Sequence, residues 1–163
     1  MSLRLVIMGV SGCGKSSVGE ALASRLGIPY RDGDDLHPAS NVEKMRQGTP
    51  LTDADRWPWL DAVAERLACE APVILGCSAL KRVYRDRIRA GAGGPVTFLH
   101  LAGGRELIAA RMAARRGHYM PTSLLDSQFA TLEPPGADEA ITVDIDQPLP
   151  DLIATVLQRL IAA

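Results

Sequence analysis

Residues Gly9 to Ser16 read G-V-S-G-C-G-K-S, a spacing of glycine, lysine and hydroxyl that can grip phosphate. Gly9, Gly12 and Gly14 let backbone N–H groups turn inward with no Cβ in the way. A helix that starts at the loop adds its positive end. Lys15 can reach the β- and γ-phosphates of a nucleoside triphosphate, and the Ser16 hydroxyl can ligate Mg²⁺. Val10, Ser11, Cys13 and Ser17 complete the cradle. Such a loop holds a triphosphate. Whether the phosphate goes to water, to a switch or to an acceptor is decided elsewhere in the chain.

A regulatory GTPase would add N-K-x-D and D-x-x-G segments. Neither occurs, and the only asparagine, Asn41, precedes Val42. A chain of 163 residues is also short for a motor ATPase. A small kinase remains, and three segments could hold its acceptor. In "YRDGDDLHP", Asp32 and Asp34 sit where a parallel strand ends, the place ligands bind in open α/β sheets. One carboxylate can hold Mg²⁺ through water, and the other can orient a hydroxyl and take its proton. In "DADRW", Arg56 offers a planar fork to a carboxylate, or a surface salt bridge to Asp53 or Asp55. In "LKRVYRDRIRA", Lys81 and Arg85 are four apart, so a helix would set both on one face with no acidic partner at that spacing. That face would suit an anionic substrate.

The positioning elements alternate. Apolar runs at Leu3–Met8, Ile28–Tyr30, Pro72–Cys77, Val96–Leu101 and Ala140–Ile145 predict five buried strands. Between them lie helical patterns: Val18, Ala21, Leu22 and Leu26, then Trp59, Leu60, Val63 and Leu67. A last helix carries Leu152, Ile153, Val156, Leu157, Leu160 and Ile161. Strands alternating with helices predict an α/β fold of three layers, a parallel sheet between helices. Length predicts a single domain over residues 1–163, and the small-kinase reading adds acceptor-binding helices at about 35–70 and a lid at about 113–135.

A net charge of −1 offers no basic footprint for nucleic acid. No apolar run approaches the roughly 20 residues of a membrane span. Cys13, Cys69 and Cys77 have no metal-ligand spacing and read as free thiols. A cytoplasmic protein is expected.

The segments "GDDLHPASNVEKMRQGTPLTDADRWPWL", "CSALKRVYRDRIR" and "HYMPTSLLDSQFATLEPPGADE" resemble the bacterial gluconate kinase family. With the phosphate loop they span about residues 5 to 145. The resemblance implies a P-loop kinase fold like that of nucleoside-monophosphate kinases, with a five-stranded sheet and a lid. It implies ATP and Mg²⁺ as cofactors, D-gluconate as substrate, 6-phospho-D-gluconate as product, and a homodimer. On this reading Asp34 is the base and Asp32 the Mg²⁺ group. Arg56, Lys81 and Arg85 clamp the carboxylate. His37, inside "GDDLHP", either binds a substrate hydroxyl or serves local structure. In the lid segment "RMAARRGHYMP", Arg111 and Arg115 share a helix face. One would compensate charge on the transferring phosphoryl group and the other would contact nucleotide. A shikimate-kinase-like enzyme stays as the alternative on the same fold, as does a nucleotide-binding protein without turnover.

Overall fold

Strand β1 (Arg4–Met8) shows why its run is apolar throughout. Leu5 and Ile7 enter one core and Val6 and Met8 the other, all four fully buried. Both faces of the sheet are covered, so neither can be polar.

The computed structural model describes residues 2–114 and 122–162. After β1 come α1 (Lys15–Leu26), β2 (Tyr30–Asp32), a 3-10 turn (Gly33–Leu36), α2 (Ala39–Arg46) and α3 (Asp53–Glu70). Then follow β3 (Val73–Gly76), α4 (Arg82–Gly91), β4 (Thr97–Ala102), α5 (Arg105–Ala114), α6 (Thr122–Thr131), β5 (Ala140–Asp144) and α7 (Leu149–Ala162). The five strands form one sheet in the order β2-β3-β1-β4-β5, with every pairing parallel. In register, Val6 lies between Leu75 of β3 and Phe98 of β4. Val18 and Leu22 of α1 pack with Leu152, Ile153 and Val156 of α7 against one face. Trp59, Leu60, Val63 and Leu67 of α3 pack with Tyr84 and Ile88 of α4 against the other. No described helix is long and apolar enough to cross a membrane.

Two element boundaries differ from expectation. The second strand lies at Tyr30–Asp32, two residues later than the run Ile28–Tyr30. The N–H groups of Gly27 and Ile28 both turn back to the Ala23 carbonyl, at 2.9 and 3.2 Å. Ile28 therefore closes α1 and cannot join the ladder. The basic helix also differs. It starts at Arg82, so Lys81 precedes it and shares no helix face with Arg85.

Arg85 is not a substrate clamp. Its side chain is 1% exposed and pairs with Glu139, itself 4% exposed, at 2.5 Å. Nε and Nη2 donate to the two Glu139 oxygens, Nη1 to the carbonyls of Ala79 and Leu80, and Nη2 also to that of Glu133. All five guanidinium donors are spent on protein. Arg89 also donates to Glu139, at 3.1 Å. The cluster fastens the loop after β3 to the segment before β5. It also holds Ala79 at φ 45°, a left-handed conformation that a residue with a Cβ resists.

Burial opposes the Glu139 charge, but the hydrogen bonds from Arg85 and Arg89 outweigh it and hold the carboxyl below its ordinary 4.5. Its contribution to stability is therefore present above about 4.5 and lost as pH falls through the lowered folded value. Removing that charge leaves Arg85 buried and unpaired. Glu139→Gln should lose roughly 3–5 kcal/mol in urea unfolding, and its remaining stability should depend less on pH below about 4.5 than the parent's, as about one titrating group fewer is linked to folding.

Candidate active site

The phosphate loop runs from the end of β1 into α1. Gly9, Gly12 and Gly14 all have positive φ, as an inward-turned loop requires. At Gly12 there is no room either: an added Cβ would lie 2.5 Å from Met112 Cγ of α5. Lys15 folds over the loop and donates to the carbonyls of Gly9 and Val10, at 2.9 and 3.1 Å. The Gly9 N–H donates to the Ser78 carbonyl at 3.2 Å, tying the loop to the one that follows β3. Cys13 is buried in the core and Ser17 is exposed.

Beside the loop is a cleft lined by Ser11, Lys15, Asp34, His37, Arg56, Trp59, Ser78 and Gln128, among others. Asp34 reaches it because β2 ends where it does. The Asp32 carboxylate accepts the Asp34 N–H at 2.9 Å and caps the 3-10 turn. Gly33 lets that turn approach β3, since a Cβ there would lie 2.3 Å from the Gly76 carbonyl oxygen. Asp34 is open to solvent at the cleft mouth yet crowded by protein. Desolvation pushes its carboxyl above the usual 3.8, opposed by Lys15 and aided by Asp32 and Asp35. A carboxylate so placed is a better proton acceptor than a free one.

His37 faces the same cleft under close control. Its ring stacks on Trp59, with centroids 4.0 Å apart. Trp59 Nε1–H donates to the Gly33 carbonyl at 2.8 Å, so one indole holds both the Asp34 turn and the imidazole. Asn41, buried on α2, donates from Nδ2 to the Asp55 carbonyl at 2.8 Å. That carbonyl can only accept, which fixes the orientation of the amide. The same Nδ2 lies 3.1 Å from His37 Nδ1, which must therefore accept. The ring proton then sits on Nε2. Burial, and then the Arg56 charge, lower His37 to about 4, so the ring is a neutral donor near pH 7.

Arg56 also lines the cleft. It stands in the first turn of α3, which starts at a capping box between Thr52 and Asp55. Asp55 is held near 2, first by its hydrogen bond from Lys44 and then by Thr52. Arg56 Nη1 donates to the Tyr84 hydroxyl at 2.9 Å, and that hydroxyl donates to Asp53. Lys81 does not line the cleft. It stands behind, 3.6 Å from Asp53 and over the Tyr84 ring. The expected triple clamp thus reduces to Arg56 at the cleft wall.

Ser16 opens α1, and the Tyr30 hydroxyl beside it is buried without a well-formed hydrogen bond. Arg111 donates to the Ile145 carbonyl at 2.7 Å, which ties α5 to the loop after β5. Arg115 lies outside the described residues. Asn41, Trp59 and Gln128 were not expected as site residues. For Asn41 the signal was its position four residues after His37.

A family model described as an AAA domain matches residues 5–135. The gluconokinase of Gluconobacter oxydans (strain 621H) is 48% identical over 159 residues, 95% of this chain and 89% of that protein. The chain belongs to the gluconokinase family. The thermoresistant gluconokinase of Escherichia coli (strain K12) is 45% identical over 94% of this chain and 90% of its own. The crystal structure of a gluconokinase from Sinorhizobium meliloti 1021 superposes with a TM-score of 0.90 at 51% identity, covering 98% of this chain and 93% of that one. The gluconokinase-like stretches of sequence thus coincide with the phosphate loop, the Asp34 turn and the Arg56 helix.

The imidazole can be tested directly. Nitrogen-detected NMR should show His37 as the Nε2–H tautomer titrating at about 4. Because the folded value lies below the ordinary 6.5, the unfolded chain binds more protons between the two. Stability linked to His37 should therefore be present above 6.5 and lost as pH falls toward 4. In Asn41→Leu the tautomer preference should disappear.

Proposed function

We propose that this protein transfers the terminal phosphate of ATP to the far hydroxyl of D-gluconate, giving 6-phospho-D-gluconate. The observation that carries the reading is the shared cleft of Lys15, Asp34, His37 and Arg56. An open-chain sugar acid needs a cation at one end, donors along its hydroxyls and a base at the other end. Arg56 supplies the fork for the carboxylate. His37 Nε2–H supplies a neutral donor. Asp34 accepts the proton of the attacking hydroxyl as the oxygen reaches phosphorus. The loop N–H groups, Lys15 and the positive end of α1 hold the phosphates in line. Arg111, already anchored beside the loop after β5, is read as the nucleotide contact, which leaves Arg115 for charge compensation at the transferring group.

The oxygen donors present suit Mg²⁺. The Ser16 hydroxyl and the Asp32 and Asp34 carboxylates are hard ligands around the orphaned Tyr30 hydroxyl. Among the described residues no group of three His, Cys, Asp or Glu could hold a metal alone. Ser16 would therefore share the ion with phosphate, and Asp32 would hold it through water. Bound Mg²⁺ would neutralise charge on the β- and γ-phosphates. The proposal includes a single domain with a lid at about 113–135, and a cytoplasmic homodimer.

A coupled ADP-release assay with Mg-ATP and D-gluconate, shikimate, AMP or no acceptor tests the reading. Turnover is expected with gluconate only. Asp34→Asn should lower kcat about 10²- to 10⁴-fold. Arg56→Met should raise KM for gluconate roughly tenfold to a hundredfold while leaving KM for ATP unchanged. Turnover with shikimate or AMP in place of gluconate would overturn the acceptor assignment.

A further inference from the structure

We propose that Gln128 is a latch on the phosphate loop that the terminal phosphate of the bound nucleotide displaces. The inference rests on the nucleotide half of the proposed function and is independent of the acceptor. The Ser11 N–H donates to Gln128 Oε1 at 2.7 Å, and Gln128 Nε2 donates back to Ser11 Oγ at 3.2 Å. The two residues are 117 apart in sequence, so α6 is fastened to the loop through this pair. A backbone N–H has one hydrogen to give. The N–H groups of such a loop are its means of gripping phosphate. Gln128 Oε1 and a phosphate oxygen therefore compete for the same donor at Ser11. The charged oxygen wins, because hydrogen bonds to ionised acceptors are about twice as strong as neutral ones.

Displacement does not remove Gln128 from the site. Gln128 and Ser11 line the acceptor cleft together with Asp34 and Arg56. The far end of α6 is pinned, since the Glu133 N–H donates to the Leu80 carbonyl at 2.8 Å and Glu133 Oε1 accepts the Arg82 N–H at 2.9 Å. The carboxamide, displaced from Ser11, stays at the cleft wall. Gln128 is thus a positioning residue that reports the presence of the terminal phosphate to the acceptor side.

Calorimetric titration of the full chain with a non-hydrolysable ATP analogue and Mg²⁺, without gluconate, tests this, with thermal unfolding run alongside. Gln128→Ala removes the competitor, so the analogue should bind about three- to tenfold tighter. Gln128→Glu keeps the shape but accepts the Ser11 N–H more strongly and repels phosphate, so binding should weaken by about tenfold or more. Opposite shifts, in variants that thermal unfolding shows to be folded, are the expected result, and a purely structural glutamine would not produce them. Unchanged or weaker binding in Gln128→Ala overturns the latch. So does a Gln128→Glu variant that binds as well as the parent, which decides the matter even if the alanine variant does not fold. Gluconate plays no part in the readout, so a wrong acceptor assignment would leave this result standing.

Discussion

The acceptor side of the site depends on one indole. Trp59 is 2% exposed, and its N–H is spent on the Gly33 carbonyl, where the chain turns from β2 toward Asp34. The same ring is the platform for His37. Asp34 and His37, both from an irregular turn, are thereby referenced to α3, a helix of 18 residues locked to the sheet by Leu60, Val63 and Leu67. Arg56 stands three residues earlier on the same helix, so Arg56, Asp34 and His37 share one rigid support. The capping box fixes where that helix starts, and the Asp55 carbonyl in its first turn holds Asn41 and, through it, the imidazole.

The second constraint is the two-sided sheet. With both faces apolar, charged chemistry collects where the parallel strands end. There the phosphate loop, the Asp34 turn and the loop after β3 meet, joined by the Gly9–Ser78 bond and the close approach of Gly33 to Gly76. The loop after β3 has no regular structure to stiffen it. Arg85 supplies the stiffness by binding the Ala79 and Leu80 carbonyls from below and pairing with Glu139 behind. One arginine shapes the site from the core while another, Arg56, faces the cleft.

The phosphate loop, the alternation of strand and helix and the Asp34 turn were legible because each depends on local spacing. The failures have a common cause. Arg56 and Arg85 look alike in a sequence, each an arginine near acids on a helix. Glu139, which decides the fate of Arg85, lies 54 residues away, beyond any local pattern. Lys81 failed for a smaller reason, a helix that starts one residue late. Trp59 was expected only as packing, since its indole N–H finds a partner 26 residues back. Gln128 stood within a recognisable segment, yet its partner Ser11 is set by tertiary folding alone.

A Trp59 indole that shapes the Asp34–His37 wall of the cleft should leave nucleotide binding alone. Trp59→Phe keeps an aromatic ring under His37 and removes the N–H to Gly33 together with part of the indole's bulk. The decisive measurement is kcat/KM for gluconate beside the dissociation constant for ATP in this variant. The first should fall roughly tenfold, the worth of one buried hydrogen bond and its orphaned carbonyl, with the second unchanged. An unchanged kcat/KM, or an equal loss in both, would contradict it.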